Sequence, residues 1–437
     1  MFSIFSGGIR PAQRKKATAQ LPFRPMTQPP AQVVLPLAGP GTAAAVPLVA
    51  PGDRVRVGQK LADAIPGLAA VHASVSGTVA AVELRPQLMG GSALSVVIDN
   101  DRKDTPVASP DWRRVDKDAA PASLRPGELA DIAAQAGLTA MDGTGRPLSQ
   151  LLRSAMGKAD ALIIDGTESE PFVTSRRRLM ADRPEAVLGG VRLLMQALSL
   201  PRAVLALEGS QYDAVAALRG YLPLRGGDIE LRLLRSRYPQ RVVIQEEGRA
   251  LFTACAATAL WDAVYQSKAL THRIVTVTGS AVAQPANLLL PIGTPISDLI
   301  REAGGWKGEP VRLVAGGPMT GRAQHDLAAP VTGDTRALLA LSAADLYPSV
   351  RPESPCLRCG RCVEACPAGL APLFLHLYVR KGQWEALERE HISACSECGA
   401  CAYVCPAHLR LVHSIRVGKR RLSETADGRE ADHEEKA

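Results

Sequence analysis

The chain has 437 residues, 46% of them hydrophobic and 22% charged, which excludes both a disordered and a membrane-spanning composition. The most apolar stretch, 33–51, is broken by Pro36, Gly39, Pro40 and Gly41, so no transmembrane helix is expected, and residues 1–14 lack the apolar core of a secretory signal. The formal charge of +8 is scattered, with no aromatic-interleaved basic stripe, so nucleic acid is not an expected partner.

A Pro-rich arm, 1–27, precedes four blocks. In the first, 28–105, PGDRVRVGQ and SVSGTVAAVE alternate as strands bounded by turns. The pattern resembles the barrel-sandwich hybrid of biotinyl and lipoyl carriers. Those domains present a modified Lys on a hairpin tip, whereas the corresponding AIPGLAAVHA has no lysine. A scaffold or docking role is therefore expected, with His72 a packed turn residue. The second block, 119–250, alternates helical patterns (ELADIAAQAGL, RPEAVLGGVRLLMQAL, QYDAVAALRGYL) with apolar strands (ADALIIDG, RAVLALEG, IELRLLRSRYP). Apolar strands joined by helices predict a parallel sheet in a Rossmann-like α/β domain. The third, 270–330, reads strand, helix, strand and suits a β-grasp module. The fourth, 335–422, reads as helical between cysteine loops, and the polar tail 423–437 as disordered. The predicted fold class is multidomain α/β with a helical C-terminal domain.

Of nine cysteines, eight lie between Cys356 and Cys405. Cys356, Cys359, Cys362 and Cys366 precede Pro367, and Cys395, Cys398, Cys401 and Cys405 precede Pro406. Each is C-x2-C-x2-C-x3-C-P, the run of ferredoxins that hold two [4Fe–4S] clusters, in which the fourth Cys ligates the other cluster. A cubane needs one thiolate per iron, and spacing at i, i+3 and i+6 wraps three sulfurs around three irons. The expected sets are Cys356, Cys359, Cys362 and Cys405, and Cys395, Cys398, Cys401 and Cys366. Paired zinc sites are the alternative, but two pairs of ligands per metal would leave the middle Cys and the prolines without a role. The 28 residues between the runs contain LAPLFLHLYVRKGQWEALERE, an amphipathic pattern that predicts the α-helical ferredoxin type. The ninth, Cys255, sits in LFTACAATAL and reads as a buried small hydrophobe.

From FSGGIRP to CPAHLRLVHSIR the chain resembles the C subunit of the Rnf (Rsx) ion-translocating electron transport complex. The resemblance is carried by VVLPL, GDRVRVGQKL with VHASVSGTV, ESEPFVTSRRRLM, SRYP, RIVTVTG, GGPMTG and both cysteine runs. It implies a peripheral protein on the cytoplasmic side of a bacterial inner membrane, reaching the membrane through its partners. The complex couples electron transfer between NADH and ferredoxin to ion movement, so its other subunits, ferredoxin and NADH are implied partners. The middle domain is similar to the flavoprotein subunit of respiratory complex I, which holds FMN and receives hydride from NADH. That likeness puts flavin-site candidates at Gly143, Gly145, Glu168 and Glu170.

The chain departs from the family pattern at that site. The glycine-rich loop, close to G-L-G-G-A-G-F-P-T, is AMDGTGRPL here, with Ala140 and Asp142 in place of glycines. Glycine lets backbone amides approach a phosphate, and a carboxylate there repels it. Arg176, Arg177 and Arg178 stand where the family is acidic, and QRVVIQEEG replaces a G-G-x-K stretch after Tyr238 and Pro239. Weak FMN and NADH binding is expected, unless Arg146 or the three arginines pair with Asp142 or form an anion site of their own. The leading expectation is thus an electron-transfer subunit of an ion-translocating oxidoreductase, with two [4Fe–4S] clusters and no catalytic residue of its own assigned. A free-standing soluble NADH-dependent flavo-iron–sulfur reductase and an adaptor that docks a ferredoxin-like partner are the alternatives.

Overall fold

The computed structural model describes residues 7–39, 42–108, 124–223, 227–240, 244, 248–346 and 351–434, with side chains described to 424. The N-terminal domain is an antiparallel sheet in the order Gln32–Pro36, Ser92–Asn100, Gly77–Pro86, Arg54–Val55, beside a short pair Lys60–Ala62 and Val71–His72. Val33, Leu35, Leu61, Val96 and Ile98 fill it. The segment that swings in carrier domains is docked here. A Cβ on Gly137, in the turn after the first helix of the α/β domain, would lie 2.3 Å from the Ala70 carbonyl and 2.9 Å from His72 Nδ1. Only a glycine, at φ +68°, lets the two domains meet this closely.

The α/β domain is a parallel sheet in the order Ile229–Leu234, Ala203–Glu208, Ala161–Asp165, Arg249–Thr253. Leu162, Ile164, Leu205 and Leu207 are fully buried between helices, which is why these strands read as continuous apolar runs. The domain continues past 250: the strand Arg249–Thr253 leads into the helix Ala254–Gln266, whose Cys255 is buried as expected. Gly190 would put a Cβ 1.9 Å from the Ala257 carbonyl, so that helix and Pro184–Leu198 cross with their backbones in contact.

The β-grasp-like domain borrows from both sides in sequence. Its six-stranded sheet runs Phe23–Pro25, Ala286–Pro291, His272–Thr278, Ala337–Leu341, Arg312–Ala315, Arg322–Gln324. The arm thus supplies an edge strand. ALLAL, assigned from sequence to the helical fourth block, is a central strand buried along its whole length, because a short apolar run does not reveal its period.

In the C-terminal domain the helices Pro372–Lys381, Trp384–Arg389 and Leu411–Glu434 pack around Leu375, Leu387, Ile392 and Ile415. The last helix runs through the segment read as a disordered tail from 423. Its Ala, Glu and Arg content favours helix, and Arg421 pairs with Glu424 one turn on. Among the described residues no helix is long and apolar enough to cross a membrane.

Candidate cluster site and flavin-type cavity

The two cysteine runs fold alike. In each, the residue two after the first Cys turns left-handed, Arg358 at φ 53° and Glu397 at φ 53°. Its amide donates to that first sulfur, Arg358 N to Cys356 Sγ at 3.3 Å and Glu397 N to Cys395 Sγ at 3.4 Å. Gly360 and Gly399 then turn left-handed again and start one-turn helices, Arg361–Glu364 and Ala400–Tyr403. A third left-handed residue follows each run, Gly369 and His408. The spacing therefore dictates a sulfur-wrapping loop with amides turned toward the thiols.

The thiols sort across the runs. Cys366 lines a small void of about 20 Å³ together with Cys395, Cys398 and Cys401. Burial raises the Cys401 thiol to about 12, and the nearby Cys398, Cys395 and Cys366 add to the shift. Burial also raises Cys362, with Cys405 adding to it, and both pack beside Leu411 and Val412. Cys356 and Cys359 are exposed. Among the described residues no group of three His, Cys, Asp or Glu is set to hold a single metal ion. A cubane asks for a different donor set, four thiolates spread around a larger body, and both thiol groups match it in chemistry.

A cavity of about 1020 Å³ runs from the loop 142–145 past Glu170 and Tyr238 to Cys395 and Cys398. It lies where the flavin-type resemblance predicts a cofactor, but the loop at its far end is already bonded. Asp142, its side chain 1% exposed, turns inward and accepts from both the amide and the hydroxyl of Thr144. Arg146 reaches Asp142 only at 3.9 Å. Asp334 accepts the Gly143 amide at 3.0 Å, and burial pushes its carboxyl up, with Asp142 adding to the rise. Two carboxylates occupy the amides a flavin phosphate would need, so these residues do not fit FMN as a glycine loop does.

The other predicted site residues hold the protein together. Glu168 accepts the amides of Arg176 (3.0 Å) and Arg177 (2.9 Å), a carboxylate at the N-terminus of the helix Ser175–Asp182. Glu170 bonds the Met319 amide, the Thr320 hydroxyl and Arg336. Gly145 stands left-handed at φ 72°. The charge of the three arginines is neutralised within the protein instead of being offered to an anion: Arg176 pairs with Asp165 at 2.7 Å, Arg177 with Asp213 at 2.7 Å, and Arg178 with Asp213 and Asp182. All three are buried, and of the three only Arg176 borders the cavity. Residues 241–243 and 245–247 of the replaced stretch lie outside the described residues. Sequence reasoning missed Asp334, which no local pattern marks, and Thr320, whose motif GGPMTG signals a family likeness but no contact.

Fold and thiols together define a multidomain iron–sulfur electron-transfer subunit built around a flavoprotein-type α/β domain. Four domain families match in the same order: the RnfC barrel sandwich hybrid domain at 3–103, the Nuo51 FMN-binding domain at 133–245, the SLBB domain at 274–323 and the 4Fe-4S dicluster domain at 353–409. The chain belongs to the family of C subunits of ion-translocating oxidoreductase complexes. It is 35% identical to the member of that family from Rhodobacter capsulatus, over 97% of this chain and 84% of the relative. To the C subunit of the Na⁺-translocating ferredoxin:NAD⁺ oxidoreductase complex of Acetobacterium woodii it is 32% identical, over 96% and 97%. It is accordingly a subunit of a membrane-bound oxidoreductase complex whose other subunits are its partners.

Proposed function

We propose that this chain is a one-electron relay on the cytoplasmic side of its membrane complex, fed by protein partners such as ferredoxin in preference to NADH. Cys356, Cys359, Cys362 and Cys405 hold one [4Fe–4S] cluster; Cys366, Cys395, Cys398 and Cys401 hold the other. The sorting of Cys366 with the second run carries this assignment. Each cubane supplies a reversible one-electron couple when bound. The chain's own residues hold it, aim the Arg358 and Glu397 amides at ligand sulfur and so tune its potential. In the second group Cys401 is buried and the other three thiols are partly covered, which limits the access of water to its sulfurs.

The bonded state of the Gly143 and Thr144 amides supports a supply of electrons that bypasses NADH. The alternative, an NADH-oxidising flavoprotein, is favoured by the size of the cavity and its contact with Cys395 and Cys398. Equilibrium titration of FMN and NADH into anaerobic protein decides between them. Weak binding is expected, with clusters that dithionite or reduced ferredoxin reduces and NADH does not. Tight FMN binding with fast NADH-driven reduction would overturn the relay. Anaerobic protein should contain about eight irons and eight sulfides, and bound zinc without iron would end both readings.

A further inference from the structure

The GGPMTG motif at 316–321 lies between the α/β domain and the second cysteine run. On one side Glu170, buried, accepts the Met319 amide at 3.2 Å and the Thr320 hydroxyl, and pairs with Arg336 at 3.2 Å. A Cβ on Gly317 would fall 1.7 Å from Glu170 Oε2, so the glycine is what admits the carboxylate. On the other side the Met319 carbonyl would lie 2.8 Å from a Cβ on Gly399, the residue after Cys398. The Thr320 carbonyl accepts Arg416 Nη2 at 3.2 Å, and Arg416 Nε bonds Glu397 at 2.9 Å. The loop that carries Cys395, Cys398 and Cys401 is therefore held by a strut that ends on Glu170.

We propose that Glu170 is a positioning residue for the second cluster: through Met319 and Thr320 it presses the 316–321 loop onto Gly399 and fixes the geometry of the sulfurs beside it. This rests on the second run holding a cluster, as assigned above. The potential of such a cluster follows the hydrogen bonds to its sulfurs and its exposure to water. Releasing the strut lets Glu397 and Gly399 relax, which changes the amide bond to Cys395 Sγ and the cover over Cys398. The matching glycine of the first run takes no such contact, a Cβ on Gly360 meeting nothing within 4 Å, and where that run is held, at 365–366, it is by Gly7 and Gly8 of the arm and not by Glu170. Glu170 thereby acts on one cluster and not on the other.

The test is a redox titration followed by electron paramagnetic resonance on the full chain in its complex, comparing wild type with Glu170→Gln and Thr320→Val. Cys398→Ala first identifies the signal of the second cluster. Both strut variants should shift the midpoint potential or line shape of that signal and leave the first cluster's unchanged. Thr320→Ser, which keeps the hydroxyl, should restore the wild-type signal, and FMN affinity should not change. Wild-type titration of both clusters in Glu170→Gln and Thr320→Val would overturn the proposal. So would a fall in FMN affinity with the clusters unmoved, which would make Glu170 a flavin contact. If Glu170→Gln loses iron, Thr320→Val carries the decision. Cys366→Ala tests the crossed ligand set separately, so failure of the ligand assignment and failure of the strut give different results.

Discussion

The run at 356–366 and the run at 395–405 share spacing, left-handed turns and amide-to-sulfur bonds, yet their surroundings differ. Cys356 and Cys359 are open to solvent, with Leu357 67% and Val363 44% exposed in the same run. The second run is covered: the Tyr238 hydroxyl donates to the Cys398 carbonyl, Lys419 Nζ to the Cys395 carbonyl at 2.6 Å, and Met319 presses on Gly399. Loop geometry is thus a local property of eleven residues, while cover over the thiols comes from outside the run, from the last helix and from other domains. One end of the relay is reachable from outside, and the other borders the flavin-type cavity.

The strongest way to break this comparison is to remove one crossing ligand at a time. Cys366→Ala should abolish the signal of the second cluster, costing about four of eight irons, and spare the first. Cys405→Ala should do the reverse. Iron analysis with paramagnetic resonance reads both, and loss of the first signal in Cys366→Ala would mean that each run serves its own cluster.

A subtler pair of variants sharpens the contrast in cover. Gly360→Ala meets open space and has only the left-handed backbone to bear, about 1 kcal/mol. Gly399→Ala adds a clash with the Met319 carbonyl and should cost roughly 3 kcal/mol. Thermal unfolding of the loaded protein measures the gap, and equal losses would show that Met319 yields. The smallest effect is expected from Tyr238→Phe, which deletes one hydrogen bond to the Cys398 carbonyl. Burial pushes the Tyr238 phenol up, so it remains a protonated donor throughout the accessible pH range. About 1 kcal/mol should be lost, with no change at the first cluster.

Legibility followed the range of the interaction. The strands ALIID and AVLALE and the long helices of the α/β domain were readable because burial on fixed faces leaves a period in the sequence. Boundaries were not, since Phe23–Pro25 pairs with Ala286–Pro291, far off in sequence, and Ala337–Leu341 joins the sheet of the preceding block. At the flavin-type loop, Asp142 was visible as an intruder among glycines. Its pairing was not: it caps Thr144, and the Gly143 amide goes to Asp334, 191 residues away. Likewise Arg176, Arg177 and Arg178 read as a basic group, and their charge is spent inside the protein on Asp165, Asp213 and Asp182.

By itself the sequence determined the thiol chemistry and the shape of each cysteine loop, because a three-residue spacing and two left-handed turns act over a few peptide units and need no distant partner. Tertiary structure alone decided which run is covered and that Glu170 ends on the 316–321 loop. Those outcomes depend on where separate domains come to rest, and residues 150 positions apart leave no shared period in the chain to announce their contact.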